Sequence, residues 1–239
     1  MANRAGTIAP EEASQDADST EKRIIEAALE LFAAKGFQAT GIRDIAEAAG
    51  VSSAALYHYM GTKSDLLVRV MVETLTPCLE VVLKACNELD RPESGLVAFV
   101  RLHVIASGRY PRQWTVVDNE LRSLSGAHRD TALVLRDRID KVFTDILLAG
   151  KRDSVFESTN VALDRLAILE MCNGVVHWYR PDGPSSLDDI ADHFAELALA
   201  MLRARRAGRV IRVGALRMPP MQYYTQMFVD HFERRWMRT

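Results

Sequence analysis

From Thr20 onward the apolar residues recur at helical spacing. Ile24, Ile25, Ala28, Leu31 and Phe32 fall at i, i+1, i+4, i+7 and i+8, an amphipathic stripe that Lys35 and Gly36 close. The same pattern continues to about Arg206, as helices of roughly ten to twenty-five residues separated by Gly, Pro and Ser. After the first sixty-odd residues the predicted helices are 66–88 with a bend near Pro77, 93–107, 111–124, 128–148, 161–179 and 187–206. No run alternates with period two long enough to form a strand, so the chain reads as all-α. Residues 1–18 carry Glu11, Glu12, Asp16 and Asp18 against Arg4 with no apolar period, and they read as a disordered tail.

The stretch Thr40–Lys63, TGIRDIAEAAGVSSAALYHYMGTK, predicts two short helices joined by a tight turn. Thr40 can cap the first, which runs through Ile42, Arg43, Ile45 and Ala49 to Gly50; Ser52 can cap the second, through Leu56 and Tyr59. Helices joined so closely cross steeply. The first must be slim at the contact (Ala46), the turn must accept a positive φ (Gly50), and apolar plugs must fill the crossing (Ile45, Val51, Leu56). In a helix-turn-helix the second helix enters the major groove, which makes Ser52, Ser53, Ala54 and His58 candidates to face bases; Ala54 offers a methyl to a thymine. Thr62 to Asp65 form a capping box, which puts Lys63 at a helix N-terminus, where it can meet a phosphate; Tyr57, Thr40 and Arg43 are the other phosphate candidates. Tyr57 packed in a small core and Arg43 paired with Glu47 are the competing readings.

These residues resemble the DNA-binding domain of the TetR family of transcriptional repressors. Leu31, Phe32, Gly36, Thr40, Arg43, Ile45, Ala46, Ala49, Gly50, Val51, Ser52, Leu56, Tyr57 and Lys63 match its pattern in one register. Gly41, Ala54, Tyr59 and Met60 depart from it. The resemblance implies a three-helix DNA-binding domain over 19–65 and a helical effector-binding and dimerisation domain over 66–206. It also implies a homodimer on double-stranded operator DNA, paired through the last two helices of the larger domain.

In 187–206 the apolar seam Leu187, Ile190, Ala191, Phe194, Leu197, Ala198, Met201 and Leu202 is uninterrupted, and Leu187, Ile190, Phe194, Leu197 and Met201 are the expected subunit contacts. The turn HWYRPDGP at His177–Pro184 is similar to the branch of the family that regulates lipid and steroid catabolism and answers to acyl-coenzyme A thioesters. Such an effector needs cations for its phosphates and an apolar or aromatic tunnel. By residue type His103, Trp114, Arg122, Met171, Trp178 and Arg180 are available for a mostly apolar cavity. Leu169 and Asn173 supply neither cation nor aromatic ring. The competing reading makes Trp178 and Met171 core and Arg180 a cap.

Charge and composition narrow the alternatives. The 239-residue chain is 48% hydrophobic and 26% charged with a formal net charge of −2, so a nucleic acid must be met by a local patch. Over 19–65 five basic residues face six acidic ones, so a lone domain should bind weakly. No segment has the ~20 apolar residues of a membrane span and the N-terminus lacks a signal peptide's apolar run, which predicts a cytoplasmic protein with no membrane partner. Cys78, Cys86 and Cys172 form no CxxC pair and read as reduced, mostly buried thiols. GxSxG, HExxH, GxGxxG and P-loop patterns are absent and the six histidines lack metal spacing, so no enzyme, metal or cofactor is expected. The remaining rival is an effector-independent helical architectural or adaptor protein that binds DNA.

Beyond 206, residues 203–217 hold six arginines and no acid, and Tyr224, Met227, Phe228, Val229, Phe232 and Trp236 form a helical apolar stripe after Pro219–Pro220. An extra DNA or anion contact is one reading. Docking on the larger domain or a partner subunit is favoured, because several aromatics gain more from burial than exposed arginines gain from screened charge.

Overall fold

The computed structural model describes residues 10–233. A small head is built from α1 (Pro10–Lys35), α2 (Ile42–Ala49), α3 (Ser53–Met60) and the first turns of α4 (Lys63–Asn87). Ile24, Ala28, Phe32, Ile45, Leu56 and Leu66 are its fully buried plugs. Residues 10–18, expected in a disordered tail, instead continue α1. Pro10 fits a first helical turn and the run that follows holds no breaker; residues 1–9 of that expected tail lie outside the described residues.

The rest of α4 joins α5 (Pro92–Arg109), α6 (Pro111–Glu120), α7 (Gly126–Arg152), α8 (Val161–Asn173), α9 (Val175–Trp178) and α10 (Leu187–Met201) in a larger helical body. α4 runs unbroken through Pro77, so head and body share one helix. The centre of the body is α5, in which every residue from Pro92 to Leu102 is buried. The single helix expected over 161–179 is divided at Gly174 into α8 and α9. α10 stops at Met201, before the expected Arg206, in a Schellman motif: the N–H of Ala204 donates to Leu199 O and that of Arg203 to Ala200 O, both at 2.9 Å. The left-handed residue of that motif is Arg203, φ 47°, so no glycine marks the end.

A two-residue hairpin then corrects the strand-free expectation. β1 (Arg205–Arg206) pairs antiparallel with β2 (Arg209–Val210). The turn residues Ala207 and Gly208 both have positive φ, 49° and 76°, as a two-residue turn matched to strand twist requires. Arg206 fixes the hairpin to the N-terminus of α5 by two bonds to buried Glu93, at 2.7 and 2.9 Å. Burial alone would raise the Glu93 carboxyl, but the hydrogen bonds and charge of Arg206 outweigh it and hold the group below its ordinary range.

The C-terminal stripe closes over the body. α11 (Met221–Phe228) and a π-helical turn (Val229–Glu233) lie on α4 and α5. Tyr224, Phe228 and Phe232 are fully buried, and the Tyr110 ring stacks on Phe232 at 4.3 Å. Burial pushes the Tyr224 phenol up to about 12. Arg101, itself buried, lies over the Tyr224 ring at 5.8 Å and holds Asp192 of α10 at 2.6 Å. The docked reading of this segment therefore describes it; Trp236 lies outside the described residues. Each fully buried aromatic is worth about 1.5–3 kcal/mol, so deleting residues 219–239 should lower the melting temperature by more than about 6 °C while leaving DNA-site preference unchanged. A truncated protein with an unaltered melting curve and sharply weakened DNA binding would contradict the docked role.

Candidate nucleic-acid interface and effector cavity

The head is assembled by local chemistry. Gly50 ends α2 at φ 67°, ψ 36°, and the Val51 N–H reaches back to Ala46 O at 2.9 Å. Ser52 caps α3 by accepting from the Ala55 N–H at 3.1 Å. α3 ends at Gly61, φ 68°, ψ −130°, a conformation open essentially to glycine; a Cβ there would also stand 2.7 Å from Asp65 Oδ2. Two glycines thus bracket an eight-residue helix. Thr62 and Asp65 cap α4 reciprocally: the Thr62 N–H donates to Asp65 Oδ2 at 2.7 Å and the Asp65 N–H to Thr62 Oγ1 at 3.2 Å.

The eight residues expected at DNA divide into two groups. Arg43, Ser52, Ala54, Tyr57 and His58 are exposed and Ser53 is half-buried. Ala54, Tyr57 and His58 share one face of α3 at i, i+3 and i+4. Tyr57 is 54% exposed, which removes the reading that packs it in the core. Thr40 and Lys63, by contrast, turn inward. Thr40 is buried and its hydroxyl donates to Gly36 O at 2.8 Å, while Gly41 takes the N-cap place expected of Thr40. The Lys63 ammonium donates to Phe37 O and Thr40 O, each at 2.9 Å, and lies 4.3 Å from the Phe37 ring centre. It has one N–H left to offer a phosphate. Its first role is to tie the start of α4 to the loop between α1 and α2.

Two of the six expected effector residues meet at one place. His103 and Trp114 line a cavity of about 40 Å³ between α4, α5, α6, α7 and α8, together with Cys78, Ile139, Leu169 and Asn173. His103 Nε2 lies 2.7 Å from Asn173 Oδ1, and burial lowers the imidazole's pKa, which favours the neutral ring. Asp118, Arg136 and Asp140 add charge to a wall that is otherwise mostly apolar. Burial raises the Asp118 carboxyl, and Arg136 at 3.8 Å offsets part of that rise. The other four residues do not line it. Arg122 is exposed and bonds Asn119 O at 3.0 Å, and Arg180 pairs with Asp182 at 3.3 Å in the turn after α9. Met171 packs half-buried against the core, and Trp178 is 52% exposed, with its ring 6.2 Å from that of Phe194. Asn173 and Leu169, set aside by residue type, are lining residues; only the helical phase of α8 relative to α5 could have indicated them. The cavity's Cys78 thiol is pushed up to about 12 by burial, as are Cys86 and Cys172, so none is a ready nucleophile.

The seam of α10 has two sides. Ile190, Ala191, Ala195, Ala198, Leu199 and Leu202 are buried, on the side packed against α5. Leu187 also packs inward, against Gly108, where a Cβ would stand 2.4 Å from its Cδ1. Of the residues expected at a subunit interface, Ile190 is thus buried in the subunit's own core and Leu187 is half-buried against it. Leu197 and Met201 are exposed and Phe194 is half-buried. With Leu163 and Leu166 of α8 and Trp178 of α9, Leu197 and Met201 supply five of the nine large apolar side chains exposed among the described residues. In the same set no helix is long and apolar enough to cross a membrane, and no group of three or more His, Cys, Asp or Glu is placed to hold a metal.

Comparison with known proteins bears on both halves. Residues 24–70 match the family described as bacterial regulatory proteins, tetR family, and residues 90–202 match the tetracyclin repressor-like C-terminal domain. The HTH-type transcriptional repressor KstR2 of Mycolicibacterium smegmatis is 26% identical over 194 residues, which are 80% of this chain and 94% of that one. The structure of PfmR, a TetR family transcriptional regulator from Thermus thermophilus, is 34% identical with a TM-score of 0.64, covering 77% of this chain and 99% of its own. AibR, solved in complex with isovaleryl coenzyme A and operator DNA, shares the fold at a TM-score of 0.70 and 21% identity, covering 74% and 97%. With its all-α head and body matched in this way, the chain belongs to the TetR family of transcriptional regulators, proteins that are not enzymes.

Proposed function

We propose that the protein is a repressor that binds a palindromic duplex operator as a homodimer and releases it when a small hydrophobic effector enters the body. The observation that carries this reading is the strip of Leu163, Leu166, Trp178, Leu197 and Met201 on α8, α9 and α10. Such a strip is costly in a monomer, and pairing it with a second copy places two heads on one body. Two heads are what the chemistry demands. One α3 reads only a few base pairs, and a head with more acids than bases gains little from nonspecific attraction. On α3, Ser53, Ala54 and His58 are assigned to base edges, while Tyr57 and Arg43 are assigned to phosphates with Ser52 at the helix start. Lys63 acts chiefly by holding the head together, with its remaining N–H directed to a phosphate.

The effector site is assigned to the cavity at His103, Trp114 and Asn173. Ligand pockets usually run to about 300–1,000 Å³, so a space of about 40 Å³ has room for little more than water, and an effector must displace lining groups to enter. Arg136, and Arg165 bonded to Asp140, supply the cations that Arg122 and Arg180 do not bring. Acyl-coenzyme A thioesters are the first class to test, because AibR was solved with one. The rival, an effector-independent architectural or adaptor protein, draws its support from the small size of the same cavity.

A binding-site selection from random DNA followed by equilibrium binding tests the operator reading. Leu197→Glu should give helical monomers with operator affinity reduced at least tenfold, whereas Tyr57→Ala should remain dimeric and lose affinity about equally on all sequences. A dimeric Leu197→Glu, or a Tyr57→Ala with unchanged affinity, would contradict it. For the effector, a panel of acyl-coenzyme A thioesters and free lipids should contain a compound that raises the melting temperature and weakens operator binding. A panel that moves neither would favour the effector-independent rival.

A further inference from the structure

Among the described residues, side chains of the body approach the head at Glu30, Gly36 and Asp65, and the three places are not equivalent. Arg112 of α6 pairs with Glu30 of α1, but both side chains are more than half exposed. Glu120 comes close to Gly36, where a Cβ would stand 3.2 Å from its Oε1. The third lies at the first turn of α7, where His128 Nε2 is 2.6 Å from Asp65 Oδ1. Asp65 therefore uses its two oxygens for different bodies. Oδ2 accepts from Thr62 and closes the α4 cap, while Oδ1 faces His128 of α7. These bonds, from Thr62 first and then from His128, hold the Asp65 carboxyl ionised down to about 2.

The contacts continue in both directions. On the head side, the cap is followed at once by Lys63, whose ammonium grips Phe37 O and Thr40 O immediately before α2. On the body side, α7 carries Arg136, Ile139 and Asp140 in the cavity lining, two to three turns from His128. An unbroken run of bonded groups thus joins the cavity wall to the entry of the helix-turn-helix. We propose that His128 is the positioning residue that fixes the pose of the DNA-binding head on the body, and that an effector weakens operator binding by moving α7 and this contact with it. The proposal rests on the operator reading above.

The contact acts on orientation more than on stability. Asp65 and His128 side chains are 43% and 41% exposed, so as an ion pair they add little to global folding. What their bond supplies is direction, because a carboxylate held on both sides cannot swivel. Loosening it leaves each head folded and able to contact its own half-site, but lets the spacing of two heads drift.

The test uses full-length protein and two duplexes, the selected palindromic site and a single half-site. His128→Ala should weaken binding to the full site by about 2- to 30-fold, with half-site affinity and melting temperature unchanged. His128→Gln, which keeps a side-chain N–H donor, should restore most of the loss. In an Asp65→Asn background His128→Ala should cost nothing further. Unchanged full-site affinity, an equal loss on both duplexes, or additive losses in the double variant would each overturn the proposal. A wild-type protein with no preference for the full site over the half-site would overturn the operator reading, and this one with it.

Discussion

The Lys63 ammonium holds two main-chain carbonyls and the face of Phe37, and the organisation of the head depends on that clamp. A partly buried cation is tolerable only when its donors are used, and here two of three are. The clamp pins the loop between α1 and α2, where the Thr40 hydroxyl meets the end of α1. It works only because α4 begins where it does. Gly61 takes a backbone conformation closed to other residues, and Thr62 and Asp65 then start the helix at Lys63. These consecutive constraints, from Gly61 to Asp65, therefore decide how α3 is presented.

The body has the opposite character, a dense apolar centre with few but well-placed polar groups. α5 is buried along most of its length, and three of its polar residues tie different neighbours: Glu93 the hairpin, Arg101 α10, and His103 α8. The first two contacts join α5 to segments distant in sequence, and Arg101 does so beneath the aromatic ring of the C-terminal segment. The third lies in the cavity, where the His103 ring sits against those of Phe99 and Trp114.

What is legible in the sequence is local. Helix period, the caps at Ser52 and Thr62 and the glycine of the helix-turn-helix turn are written in neighbouring residues, and the structure places them as read. Lys63 and Thr40 are legible only in part because their partners are main-chain carbonyls, which leave no trace in side-chain pattern. The seam of α10 reads as one surface because a periodic stripe does not say which side meets α5; Ile190 and Leu197 differ by two turns in sequence and by a whole environment in space. The stop after Met201 is hidden because an arginine fills a left-handed position that usually announces itself with glycine. For the same reason the Ala207–Gly208 turn gives only half its signal. The cavity is the least legible feature, since Asp118, Arg136 and Asn173 come from three helices whose relative rotation no local rule specifies.

Amide hydrogen exchange on a Lys63→Met variant, compared with the wild type, tests this account most directly. With the clamp removed but the apolar stem kept, amides of residues 37–60 should exchange faster, while those of α5 and α10 keep their wild-type protection. No acceleration in 37–60, or an equal acceleration in α5 and α10, would contradict the claim that one lysine at the start of α4 organises the DNA-binding head.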